Sequence, residues 1–430
     1  MEELMQYIWQ FRLWPAGSLR TADGHIVDVI DPGIANNGSG PDFFNAKIRI
    51  DRQWWAGNIE MHVRASDWYV HGHHTDKAYD NVILHVVQSD DGTVTHRTDA
   101  HKIPQVVMPG TEKFAGRLSA LMASDGATMP CIRHLDTIPS LVLNDFMTAM
   151  AIERLQQKAD SVMALVQARK GDWRAATFIT LARGLGFGTN ADAMEQLARS
   201  IPLDTVLRHS DNTTAMEAIL LGVAGMLDID HPRDNYENIL AREYSFYALK
   251  FGIAPATQPL WRTRLRPGAQ PARRIAMLAA MMADGFPFGG KALNITSPAD
   301  IHHLFDVQVS EYWHTHIVPG VTASGLQPVL GLSSRTLLAI NVVAPIIYAY
   351  GWAIDDSSRQ EAAIELLQSL KPERNSLIAP FTQAGFPCHD AFTSQALLQL
   401  RKNYCQLRKC LFCRLGHRIL ATAARQPATR

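Results

Sequence analysis

Two carboxylates and an imidazole lie close together in GPDFFNAKIRIDRQWWAGNIEMHV, residues 40–63, where Asp42 follows a proline and Glu60 stands two residues before His62. Strands disfavour acidic residues and burying their charge is costly, so their presence in two alternating runs calls for a reason. Side chains alternate faces along an extended strand, so Glu60 and His62 point the same way. If Asp42 opens the partner strand, the three groups meet at one end of a hairpin. Neighbouring carboxylates raise each other's pKa unless a cation lies between them, and a hard divalent ion such as Mg2+ or Mn2+ takes such oxygen ligands. An ion held there can activate water and stabilise the charge that develops in phosphodiester cleavage. The competing reading is a plain turn, with Asp42 bonded to nearby amides and the other two residues on a solvated face.

More imidazole follows in SDWYVHGHHTDKAYDNVILHVV, residues 66–87. His71 and His73 form an H-x-H pair, with Asp67, Asp76, Asp80 and His85 near them in the chain. Imidazole suits zinc, iron or manganese, so a rival reading is a histidine-metal hydrolase of a small substrate. In the nuclease reading, His71, His73 and His85 form a second tier that contacts the scissile phosphate or supports the metal ligands. Lys47 and Arg64 are the cations at hand, although Lys47 stands at odd spacing from Asp42.

A third constellation closes the chain. Cys405, Cys410 and Cys413 give C-x4-C-x2-C, and thiolates so spaced can share a zinc ion or an iron–sulfur cluster once a fourth ligand joins. Cys131, Cys388, His389 and His417 are the candidates, with Cys131 preferred because it would tie the chain's end back to the first domain. On a regular helix Cys405 and Cys410 would lie roughly 140° apart, so such a site requires a break near residues 407–409. In WRTRLRPGAQPARRIAMLAAMM, residues 261–282, Trp261 with Arg262, Arg264, Arg266, Arg273 and Arg274 offers cations for phosphates and a ring for a base.

These groups must be positioned by folded elements. Leu4, Tyr7, Ile8 and Phe11 recur at helical spacing and predict an amphipathic helix over 2–13. Residues 25–30, 44–51 and 58–63 read as strands, the last two as an antiparallel hairpin linked around 52–57; 73–81 reads as a short helix and VILHVVQ, 82–88, as a buried strand. The order is helix, three strands, helix, strand. From about residue 120 the spacing becomes helical, with segments near 141–169, 172–186, 190–200, 213–227, 233–251, 270–284, 335–352, 358–370 and 391–422. The punctuated stretch 124–131 predicts the boundary, giving an α/β domain over 1–120 and a large all-α domain over 121–430.

At 430 residues the chain exceeds one ordinary domain, and its 47% apolar content supplies real cores. Lys plus Arg and Asp plus Glu each total 41, so net charge selects no partner. The first hundred residues carry fourteen acids against eight bases, whereas 391–430 carry eight bases and no acid. The N-terminus has no basic segment followed by a long apolar core, which excludes a signal peptide of the usual kind. The apolar run 337–354 is interrupted by Asn341 and Pro345. The expectation is a cytoplasmic protein without a membrane partner.

Pro41-Asp42, a hairpin and Glu60-x-His62, set in that element order, resemble the PD-(D/E)XK nuclease superfamily across about residues 1–110. The resemblance implies a restriction-endonuclease-like core, metal-dependent hydrolysis of DNA or RNA, and Asp42 and Glu60 as ligands of Mg2+ or Mn2+. It also implies that an acid of the first helix, Glu3 or Glu2, reaches the site. The superfamily usually has lysine where this chain has His62. A degenerate member would instead bind nucleic acid or a protein without cleaving. Over nearly its full length the chain also resembles a bacterial family catalogued as domain of unknown function 2851, through GPDFFNAKI, GNIEMHVRASDWYVHGH, VILHVV, ERLQQKA, LRPGAQPARRIA, INVVAPIIYAYG, KPERN and SQALLQLRKNYCQLRKCLFCRLG, in that order.

Overall fold

The computed structural model describes residues 1–425 apart from Ala16, Asn37, 124–128, 257–260 and 284–289. Two units result, Met1–Leu143 with Lys402–Arg430, and Asn144–Arg401. The first unit thus runs past the boundary predicted at 120 and reclaims the end of the chain. Apolar burial is the reason: Phe114 and Leu121 of the helix Thr111–Met122, and Leu411 and Leu420 near the C-terminus, join the core built by the first hundred residues. Most of the predicted boundary stretch, 124–128, lies outside the described residues.

The first unit is α/β. Helix α1 (Glu2–Gln10) precedes β1 (Val27–Asp31), β2 (Ile34–Ala35), β3 (Phe43–Ile50) and β4 (Gln53–Arg64). A short crossover leads to β5 (Val82–Ser89) and β6 (Gln105–Val107). The sheet is mixed, in the order β1-β3-β4-β5-β6 with β2 also on β3; β1, β3 and β4 are antiparallel neighbours, while β4, β5 and β6 are parallel. One face carries Phe43, Ile48, Ile59, Met61, Leu84 and Val86 against Leu4, Met5, Ile8 and Trp9 of α1. On the opposite face a smaller apolar group, Trp68, Tyr79, Val82 and Ile103, packs beside the residues that could do chemistry.

Three local features set the site. The β3–β4 hairpin turns tightly through Asp51, at φ 51°, so β4 begins at Gln53 rather than after the longer link read from sequence. A bulge between Phe43 and Ala46, with Asn45 at φ 58°, re-aims the start of β3. The crossover is not the helix predicted over 73–81: it is a single turn, Asp67–Val70, and two 3-10 turns, His73–Thr75 and Lys77–Tyr79. Gly72 at φ 77° and the Asp76 carboxylate, which accepts from Ala78 N–H, break the helix.

The second unit is helical, with long helices at Trp173–Leu185, Thr213–Val223, Asn235–Phe251, Pro271–Ala283, Ser357–Ser369 and Ala391–Leu400. A small hairpin, His316–Val318 with Val321–Thr322, was not legible in the sequence. Leu332–Ala353 is one continuous helix of 22 residues, long and apolar enough to cross a membrane by length and composition, with 67% of its apolar window buried. Pro345 does not interrupt it, because the π-turn Ala339–Val343 just before the proline absorbs the missing backbone hydrogen bond.

Candidate metal centre

Glu60 and His62 lie on one face of β4, as period-two alternation requires, and both are buried, at 6% and 1% exposure. In the parallel ladder Glu60 pairs with His85 of β5, which brings a second imidazole onto that face. The crossover turns fold His71 and His73 back over it. His62 Nε2 lies 3.1 Å from His71 Nδ1 and 3.6 Å from Glu60 Oε1, and His73 Nε2 lies 3.4 Å from the same oxygen. The ligand atoms of His62, His71 and His73 all fall within 4.8 Å of one another. Donors about 2.0–2.1 Å from a tetrahedral ion stand about 3.4 Å apart, so this spacing fits a single divalent ion. His71 is the exposed member, and His73 stacks on Tyr79 with ring centroids 3.8 Å apart.

Asp42 joins from the bulged end of β3. Its backbone N–H donates to Glu60 Oε2 at 3.1 Å, and its carboxylate accepts from Met61 N–H at 2.9 Å and from Gln6 Nε2 at 2.8 Å. Burial first, and then the charge of Glu60, holds Asp42 well above the usual carboxylate range; burial likewise raises Glu60. His62 is driven down to about 2 by burial and by its imidazole neighbours His85, His73 and His71. His62 is therefore neutral, and its Nε2 shares a hydrogen bond with His71 Nδ1 or, if both nitrogens present lone pairs, forms with it a pair of donors for an ion. Its Nδ1 lies 2.8 Å from His85 Nε2. Burial lowers His85 to about 4, so the second imidazole is neutral as well.

The structure thus brings Glu60 beside His62 and Asp42 beside Glu60, while the group that could hold an ion is His62 with His71 and His73, two residues expected only in a second tier. His85 stands behind His62 as a support. Glu3 is corrected: it faces solvent, whereas half-buried Glu2 raises both Asp42 and Glu60 electrostatically, and Gln6, one turn further on the same helical face, bonds Asp42. Gln6 was missed because an amide at the edge of an amphipathic helix carries no signal until its partner is known. Lys47 shares the sheet face of Glu60 through its pairing with Ala56, but it is exposed and about 13 Å further along at about 3.3 Å per residue. Arg64 is engaged with Asp67 at 3.3 Å.

The other constellations gather less closely. Cys131, Cys405, Cys410 and Cys413 are all free thiols. Cys131 is pushed up to about 12 by burial and, secondarily, by Cys413 and Cys410, which places these three near one another. Among the described residues, however, only the three imidazoles bring donor atoms within 4.8 Å. The break required before Cys410 is present: the chain leaves the π-turn Arg401–Cys405 and reverses at Arg408, φ 52°. Of the arginines, Arg262, Arg264 and Arg266 are exposed. Arg273 is buried and donates to Gln327 O at 2.9 Å, and Arg274 lies 4.5 Å from the Phe187 ring centroid. Those two hold the helical unit together and do not face a phosphate track.

No curated protein and no solved structure matches the chain. The model of a family described as a protein of unknown function, DUF2851, matches residues 2–376, and the chain belongs to that family.

Proposed function

We propose that the first unit is a metal-dependent hydrolase of phosphodiester bonds in nucleic acid. The observation that carries the reading is the convergence of His62, His71 and His73, whose ligand atoms all lie within 4.8 Å of one another, with Glu60 Oε1 3.6 Å from His62 Nε2 and 3.4 Å from His73 Nε2 and a second buried carboxylate, Asp42, beyond it. Three imidazoles favour Mn2+, Fe2+ or Zn2+ over the all-oxygen Mg2+ site that the carboxylates alone suggest. When bound, the ion supplies Lewis acidity and lowers the pKa of a coordinated water. Glu60 and the three histidines hold it, His85 orients His62, and Asp42 is the proton acceptor, kept in place by Gln6 and the Met61 amide. The helix followed by antiparallel β1, β3 and β4 and a parallel β5 supports a restriction-endonuclease-like reading of this unit. A cytoplasmic site of action accords with that chemistry.

A second reading, hydrolysis of a small substrate, draws on the burial of His62, Glu60 and His73, which leaves the approach to the donors on the His71 side. Cleavage assays decide between them. Single- and double-stranded DNA and RNA are incubated with Mn2+, Zn2+ or Mg2+, beside Asp42→Ala. Mn2+-dependent cleavage that Asp42→Ala abolishes supports the nuclease. Tight binding with no cleavage under any metal would instead assign a degenerate, binding-only fold.

A further inference from the structure

The sheet face that carries Asp42 and Glu60 does not stop at the metal centre. Along β4 every second residue back from Glu60 faces the same way, through Asn58, Ala56 and Trp54, and the antiparallel register brings Lys47 beside Ala56 and Arg49 beside Trp54. The result is a strip of paired positions about 20 Å long at about 3.3 Å per residue, running from the donors to the hairpin turn. The bulge residue Asn45 joins it by donating its backbone N–H to Asn58 Oδ1 at 3.3 Å. Trp54 is 63% exposed, an unusual cost for so large an apolar ring. Lys47 is exposed and makes no ion pair among the described residues, while Arg49 is fixed upright by Asp28 at 2.6 Å. Asp28 meets the Arg49 charge and Asp31 stands opposite Lys47 in the β1 register, so the strip offers one exposed ring and one ammonium beside the candidate centre. These complement an unpaired base above the tryptophan and a single phosphate above the lysine.

Resting on the nuclease reading, we propose that the open strip of β3 and β4 is the track for one strand of nucleic acid, with Trp54 stacking on a base and Lys47 contacting a phosphate. A base stacks on Trp54 only when it is not paired, so the substrate class is single-stranded nucleic acid or a single-stranded end. The track enters at the hairpin turn and delivers the scissile bond to the end occupied by Asp42 and Glu60.

The test is fluorescence anisotropy of a labelled single-stranded oligonucleotide with the full chain carrying Asp42→Ala, in Mn2+, so that binding is read without cleavage. Adding Trp54→Ala should weaken binding by about tenfold, the scale of one lost base–aromatic stack, and Trp54→Phe should recover most of it. Adding Lys47→Ala should lower the slope of log affinity against log salt by about 1. Affinities within twofold of the parent for both variants would overturn the track. Mn2+-dependent hydrolysis of bis(p-nitrophenyl) phosphate by the unsubstituted chain reads the metal centre separately. Its absence would sink the nuclease reading, while loss of oligonucleotide binding in Trp54→Ala would still mark the strip as a nucleic-acid surface.

Discussion

His62 Nδ1 lies 2.8 Å from His85 Nε2, two buried imidazoles joined edge to edge behind the donor cluster. Both are neutral, so one must donate and the other accept, and only donation by His62 leaves its Nε2 lone pair free to face His71 and Glu60. With His62 as a metal ligand, His85 would thereby fix its tautomer. Replacing His85 by Ala should lower metal affinity by about 10- to 100-fold, the usual effect of losing such a support, and His85→Gln should restore part of it. Titration calorimetry with Mn2+ and Zn2+ checks this, and equal affinity in His85→Ala would remove the supporting role.

The carboxylate pair makes the metal-free protein sensitive to alkali. Asp42 and Glu60 titrate at about 7 and about 8 as an interacting pair, against about 4 in an unfolded chain. Between those limits the folded state holds more protons than the unfolded one, so stability falls as pH rises. His62 and His85 act in the opposite sense, because their folded values lie below the ordinary imidazole value, but only below about pH 6.5. From about pH 6.5 to 8.5 the melting temperature of the EDTA-treated chain should therefore drop, with a limiting slope of about 1.4 kcal/mol per pH unit for each proton. Asp42→Asn should flatten the drop and Mn2+ should reverse it. A level or rising melting temperature in that window would count against the buried pair.

The first helix divides its acids between roles. Glu3→Ala should leave metal affinity unchanged, since Glu3 is exposed. Gln6→Ala removes the amide that bonds Asp42 at 2.8 Å and should slow Mn2+-dependent cleavage by about tenfold, the scale of a hydrogen bond to a charged group, with metal affinity little changed. Glu2→Gln removes a charge that raises both carboxylates and should move the pH midpoint of metal uptake downward. Metal titrations across pH beside cleavage rates distinguish all three, and a loss confined to Glu3→Ala would reverse the assignment.

Gly57 is the tight point between β4 and β5. A Cβ there would lie 2.4 Å from Ile83 Cγ2 and 2.6 Å from Asn81 O. The backbone carbonyl cannot withdraw without loosening the ladder that aligns Glu60 with His85. Gly57→Ala should cost about 1–3 kcal/mol by overpacking, and thermal melts should register it as a lower melting temperature together with weaker metal uptake. A stable variant that has lost metal binding would show that the ladder shifts instead of straining.

Much of the site could be read in advance because strands have period two. That rule alone set Glu60 and His62 on one face, and the apolar run at 82–88 marked β5 as a buried strand carrying His85 inward. The crossover was harder: the short helix read over HHTDKAYDN gives way to separate turns, because most of its residues are weak helix formers and the local bonds of Asp76 and the left-handed Gly72 break it. His71 and His73 therefore looked like loop residues when their turns in fact fold over the sheet. Arg273 and Arg274 misled in the other direction, since an arginine on a helix carries no mark of which face is buried.

Local periodicity and residue chemistry, both properties of the linear chain, were enough to give an α/β first unit, a helical second one, and Glu60 and His62 on one strand face, with Asp42 joining them only on the condition that it opened the partner strand. Tertiary structure decided everything that depends on contacts distant in the chain. It closed the first unit with its own C-terminal segment through Leu411 and Leu420, and it chose Glu2 and Gln6 over Glu3 by the rotation of α1. It also turned a two-carboxylate site into one dominated by imidazole, because the parallel pairing of β4 with β5 and the crossover between them bring His71, His73 and His85 to His62 and Glu60. Side-chain alternation is fixed by the backbone of a single strand, whereas the donor set of a metal centre is fixed by which strands and turns become neighbours.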